Sequence, residues 1–229
     1  MNLAVFDIDG TLANTNQVDA ICYVRALELE FGLTGIDDDW SHYTHSTDPG
    51  IMNQVFRQNL GRLPSQAEVA AFQGRFLALL MEERRKNPGQ FREVKGAGAL
   101  LRHLADIPDW IAAFATGGWA VTAKFKLEAA GLPFIGLPFA CGDDAVSRED
   151  IIRKAVHRAR KLTGTEGFDG IVSLGDGVWD IKAAGILKIG FIGVGDQARL
   201  LDMGAGLAVP DFQDPEACLA LLEQAPNLK

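Results

Sequence analysis

Apolar residues recur along this chain in short runs that stop at turn residues. LAVFDI (3–8), bounded by Gly10 and Thr11, reads as a buried strand rather than a helix. WIAAFA (110–115), GIVSLG (170–175) and KIGFIGV (188–194) repeat the pattern, and FIGLPFAC (134–141) is a weaker candidate interrupted by Pro138. Helical patterns lie between them at AGALLRHLA (97–105), AVTAKFKLEAAG (120–131), REDIIRKAVHRARKL (148–162) and DIKAAGIL (180–187). Strands alternating with helices predict βαβ units, and so an α/β fold with a Rossmann-like parallel sheet and helices on both faces. In such sheets the ligand site lies beyond the carboxyl ends of the strands.

The alternation fails between residues 15 and 92, which are predicted to be wholly helical, with helices at 16–31, 48–60 and 65–86. In the last, Ser65 and Glu68 form a capping-box pattern, and Val69, Phe72, Phe76, Leu79 and Leu80 follow at helical spacing. Asn87-Pro88-Gly89 stops it. The expected organisation is an α/β core of residues 1–14 plus 93–229, with an all-helical cap domain of residues 15–92 inserted beside the catalytic end of the sheet.

Composition narrows the picture little. The 229 residues are 48% hydrophobic and 23% charged, ordinary for a globular chain. A net charge of −8 argues against nucleic acid as a partner but not against small anionic substrates, because local fields at a site outweigh the global sum. Cys22, Cys141 and Cys218 are far apart and outside any metal-site spacing, so reduced, buried thiols are expected. No apolar stretch approaches bilayer length and the N-terminus lacks a signal-peptide pattern; a cytoplasmic protein without a membrane partner is expected. Oligomeric state has no signature in the sequence.

The chemistry concentrates at the predicted strand ends. Strand side chains alternate, so Asp7 and Asp9 leave the first strand toward the same side. Two carboxylates there, with nearby carbonyls, make an oxygen-rich cradle suited to Mg²⁺. Gly10 permits a sharp turn and Thr11 offers a hydroxyl. Thr116 and Gly117 follow the second strand, and Asp176 and Asp180 follow GIVSLG. Asp143, Asp144 and Arg148 follow the weak strand.

LAVFDIDGT, FAT and GDGVWD, in that order, resemble the first, second and fourth motifs of the haloacid dehalogenase-like superfamily, and the likeness covers essentially the whole chain. Helical insertion and length are similar to phosphoglycolate phosphatase-like members with a C1 cap. The resemblance implies a Mg²⁺-dependent phosphatase that acts on a small phosphorylated metabolite through an aspartyl-phosphate. Asp7 would be the nucleophile and Asp9 the acid and base. Mg²⁺ would be held by Asp7, the Asp9 carbonyl, Asp176 and Asp180. Thr116 and Gly117 would bind a phosphate oxygen, with Gly10 and Thr11 as further substrate contacts.

The third motif departs from the family pattern. A lysine, often before proline, is usual there, and this chain has Ser147-Arg148. Arg148 would supply the charge, with Lys154 as the alternative. Thr47 is expected to cap the helix at 48–60 and also to contact substrate, because an exposed helix N-terminus attracts anions. DDDW (37–40) reads as a solvated turn, and Arg57, Arg62, Arg84 and Arg85 as solvated helix surface. Asp9 opposes dehalogenase and transport-ATPase chemistry. Lys86, the only lysine between residues 15 and 92, is poorly placed for phosphonate hydrolysis. A sugar-phosphate phosphomutase, or a non-catalytic binding module on the same fold, are the alternative readings.

Overall fold

The computed structural model describes residues 1–225. The chain runs β1 (Asn2–Phe6), α1 (Asn16–Phe31), α2 (Asp48–Leu60), α3 (Gln66–Lys86), α4 (Ala97–Ala105), β2 (Trp110–Ala115) and α5 (Ala120–Ala129). It continues through β3 (Phe139–Ala140), α6 (Arg148–Thr163), β4 (Ile171–Gly175), α7 (Val178–Leu187), β5 (Gly190–Val194), α8 (Gln197–Asp202), β6 (Ala208–Val209) and α9 (Pro215–Gln224). The strands form one parallel sheet in the order β3-β2-β1-β4-β5-β6. The connection order reverses beside β1, so a crevice opens beyond the ends of β1 and β4.

Period-two alternation sends β1 side chains to opposite faces. Ala4 and Phe6 pack with Leu100 and Leu104 of α4, Leu127 of α5 and Leu222 of α9. Leu3 and Val5 pack with Ile151, Ile152 and Ala155 of α6 and Ala183 of α7. Both faces of the sheet are therefore covered, which is why its strands read as continuous apolar runs.

Helices α1 to α3 have their own apolar cluster, built on Tyr23, Leu27, Phe56, Phe72, Phe76 and Leu80. Trp119, which precedes α5, and Phe125 within it join this cluster and tie the helical segment to the sheet layer. Tyr23 stacks on Trp119 with ring centroids 6.2 Å apart. Burying one such aromatic side chain contributes about 1.5–3 kcal/mol. The segments entering and leaving the helical region run side by side: Asn14 N donates to Arg92 O (2.9 Å) and Val94 N to Leu12 O (2.8 Å). Helix α3 starts at the Ser65–Glu68 capping box and α2 at Thr47, whose Oγ1 accepts from Gly50 N. No helix among the described residues is long and apolar enough to cross a membrane.

Several element boundaries differ from the sequence reading. β3 is reduced to Phe139–Ala140, because Pro138 lacks an N–H and Gly136 takes φ +85° in a preceding turn. β1 stops at Phe6, since the N–H groups of Leu12 and Ala13 turn back onto Ile8 O. α8, β6 and α9 lie beyond the last predicted element, and α9 carries a legible start signal in Asp214-Pro215.

Candidate active site

Asp7 follows β1 and Asp176 follows β4, so neighbouring parallel strands deliver two carboxylates to the crevice. Asp180 enters from the first turn of α7, where its Oδ2 accepts from Gly177 N at 3.1 Å. One carboxylate oxygen from each of the three lies within 4.8 Å of the others. Burial raises the pKa of Asp7, Arg148 opposes that rise and Asp9 adds to it. Burial, then the Asp7 charge, pushes Asp176 up to about 7. Burial also holds Asp180 well above the usual carboxylate range, with Arg148 opposing and Asp7 and Asp176 reinforcing.

Asp176 Oδ2 accepts from Asn16 Nδ2 at 2.6 Å, while its buried Oδ1 has no partner. Gly10 turns beneath this pair at φ +74°, and a Cβ there would stand 2.1 Å from Asn16 Nδ2 and 2.2 Å from Asp176 Oδ2. The turn can be made only without a side chain.

Arg148 brings the compensating charge. Its Nη1 lies 2.7 Å from Asp7 Oδ1 and 3.3 Å from Asp180 Oδ1. Its guanidinium carbon sits 6.0 Å from the Trp179 ring centroid. Burial works against its charge, but Asp7 and Asp180 outweigh that and hold its pKa above the ordinary arginine value. Lys154 is exposed and does not line the cleft. The Ser147 cap at the start of α6 sets where Arg148 emerges.

Asp9 points into a different network. Its Oδ1 accepts from Thr15 Oγ1 (2.5 Å) and its Oδ2 from Lys126 Nζ (2.6 Å). Lys126 is fully buried and bonds Asp19 Oδ1 of α1 at 2.6 Å as well. Burial works against the Lys126 charge, yet Asp19, Asp9 and Asp48 together hold its pKa above the usual value. Burial lifts Asp19 to about 6, against the pull of Lys126. Thr15, Asn16, Asp19 and Lys126 are absent from the sequence reading. One signal marks Lys126: it falls on the stripe Trp119, Thr122, Ala123, Lys126, Leu127, all buried and at helical spacing.

A cleft of about 630 Å³ opens over these groups. Asp7, Asp9, Thr116, Gly117, Arg148 and Asp176 line it together. The Thr116 hydroxyl accepts from Gly118 N at 3.1 Å, which fixes the loop after β2. The helical segment closes directly on this loop: Asp48 N donates to Gly117 O (2.9 Å), and a Cβ on Gly117 would meet Ser46 O at 2.9 Å. Three expected substrate contacts do not reach the cleft. Gly10 lies under Asn16 and Asp176, and Thr11 is fully buried with its hydroxyl unpartnered. The Thr47 hydroxyl accepts from Gly50 N and donates to Val146 O (2.7 Å), so capping consumes it, and its neighbours Ser46 and Asp48 line the cleft instead. The DDDW segment is not simply a solvated turn, because Asp38, Asp39 and Trp40 form part of the cleft wall.

The donor set suits a hard divalent cation. All three groups are carboxylates, one buried oxygen is orphaned, and burial, reinforced by neighbouring carboxylates, raises their pKa values even against Arg148. Asp7, Asp176 and Asp180 are the residues that could hold it.

Sheet order, crevice and helical insertion give a fold similar to that of solved haloacid dehalogenase-like proteins. The chain is similar to a hydrolase from Pseudomonas syringae, with TM-score 0.72 and 21% identity over 96% of this chain and 98% of that one. It is similar to CbbY from Rhodobacter sphaeroides in complex with phosphate, with TM-score 0.69 and 20% identity over 96% and 98%. A conserved haloacid dehalogenase-like protein from Agrobacterium tumefaciens matches with TM-score 0.59 and 19% identity over 96% and 98%. No protein-family model matches the chain, and no curated protein matches it.

Proposed function

We propose that the protein is a haloacid dehalogenase-like phosphatase that hydrolyses phosphate monoesters of small metabolites with Mg²⁺ as cofactor. The observation that carries this reading is the buried Asp7–Asp176–Asp180 cluster, with its orphaned oxygen and Arg148 at 2.7 Å from Asp7. The Asp7 carboxylate attacks phosphorus, and the ester P–O bond breaks as Asp9 protonates the departing oxygen. Asp9 then takes a proton from water, which attacks the phosphoaspartate and releases inorganic phosphate with Asp7 regenerated. Arg148 orients Asp7 and stabilises charge on the transferring group. Thr116 and the Gly117 amide receive a phosphate oxygen. Mg²⁺ held by Asp7, Asp176 and the Asp9 carbonyl, with Asp180 behind them, would offset repulsion between nucleophile and phosphate.

Residues 15–92 act as the cap over this site, and their contact with the Gly117 loop favours small substrates that such a cover can enclose. Phosphate release from p-nitrophenyl phosphate and a panel of phosphorylated metabolites, with Mg²⁺ and after chelation, tests the reading. Asp7→Asn is expected to lose at least about 10³-fold in kcat. Retained turnover would remove Asp7 as nucleophile, and an isomeric ester formed without free phosphate would make the protein a mutase.

A further inference from the structure

A second cavity, of about 450 Å³, lies on the seam between the helical segment and the sheet layer and shares no lining residue with the cleft. The last turn of α3, the short 3₁₀ turn Pro88–Phe91, the returning linker and the end of α5 border it. Its charge runs against that of the molecule. Arg84, Arg92 and Lys95 line it with a single acid, Glu93, in a chain whose net charge is −8. None of these three cations makes an ion pair among the described residues. Acids nearby are committed elsewhere: Glu82 and Glu83 to Lys86, at 2.8 and 3.2 Å, and Glu93 Oε2 to Gly98 N at 2.7 Å. Apart from Glu93, no side chain of the lining carries an acceptor.

Arg84 points the same way on separate grounds. The residue is half-buried, and its Nε is shut off from solvent with no acceptor. A donor left unsatisfied there costs its full desolvation unless a ligand supplies the acceptor. The carbonyl ends of α3 and α5 draw cations to the seam, yet neither end offers Arg84 Nε a partner. Arg92 and Lys95 lie beyond the last turn of α3, so its dipole does not account for them. Three cations around one pocket, two of them planar guanidinium forks, match an oxyanion with more than one charge. A cationic ligand would be repelled, and an apolar one would leave the Arg84 donor unmet.

We propose that this seam is a binding site for a compact polyvalent oxyanion, held by Arg84 from the helical segment and by Arg92 and Lys95 from the linker that returns to the sheet. The site is separate from the cleft and does not depend on the phosphatase reading. Isothermal titration of the full chain in chelator tests it, with pyrophosphate and tricarballylate as the phosphate and carboxylate probes. Formate, matched for ionic strength, is the monovalent control. A saturable site that survives Arg148→Gln is expected, with formate at least about tenfold weaker, and the tighter of the two probes identifies the ligand as phosphate or carboxylate. Arg92→Gln combined with Lys95→Gln, both exposed positions, is expected to weaken that site about tenfold or more with the urea midpoint unchanged. Arg84→Gln is expected to weaken it about fivefold. No saturable site in Arg148→Gln, equal affinity for formate, or full affinity in the Arg92 and Lys95 pair variant would overturn the assignment.

Discussion

Lys126 joins a carboxylate of the proposed chemistry to one on the first helix, at 2.6 Å in each direction. Removing it strands both acids in a dry environment. Lys126→Met is expected to destabilise the fold by about 3–5 kcal/mol, read from urea unfolding, and Asp19→Asn by clearly less, because that change leaves the lysine paired to Asp9. Nothing in AVTAKFKLEAAG separates Lys126 from the exposed Lys124 except its place on the buried stripe, and a lysine there is read first as surface. Asp176 has a different signature. Its folded pKa, raised to about 7 from 3.8, means the native state keeps a proton that the unfolded chain releases. Stability of the metal-free protein therefore carries a contribution that is present below the unfolded value and falls as pH rises from about 4 to about 7. Asp176→Asn should flatten that part of the thermal midpoint against pH in chelator, and added Mg²⁺ should raise the wild-type midpoint most at and above neutral pH.

At the scale of elements, long periodic segments were legible and short paired ones were not. α1 and α2 match the predicted bounds, since each has a coherent apolar face and α2 a cap at Thr47. β6 is two residues whose pairing with β5 is a tertiary event, and no local pattern announces it. The strand-end carboxylates were readable because alternation fixes where Asp7 points. The contributions of α1 and α5 were not, because Asn16 meets Asp176, and Lys126 bridges Asp9 to Asp19, only once the helical segment has folded back on the sheet. The loop between β2 and α5 governs that approach. Gly117→Ala would place a methyl 2.9 Å from Ser46 O and 3.1 Å from Arg148 Nη2. It is expected to lower kcat/KM by about tenfold or more with a stability loss below about 2 kcal/mol, since the strain falls on the approach of α2 rather than on the sheet. Steady-state kinetics beside urea unfolding would separate the two effects.

For the molecule as a whole, acidity works against its proposed substrates. A net charge of −8, with the wall of carboxylates in the cleft, repels a phosphate dianion as it approaches. Raising monovalent salt from low to physiological ionic strength should therefore increase kcat/KM for p-nitrophenyl phosphate roughly two- to fivefold, visible in initial rates at subsaturating substrate. The paired segments around Ala13 and Glu93 have a consequence for engineering. Because the chain leaves the sheet layer and returns along antiparallel segments joined at Ala13 and Glu93, a tight turn could bridge residues 14 and 92 and excise the helices between them. Such a minimal core would need new residues at Trp119, whose aromatic partners Tyr23 and Phe72 would go with the excised part, and at Lys126, which would keep Asp9 but lose Asp19. The seam is geometrically simple to cut, and those two side chains are what makes the separated halves chemically unfinished.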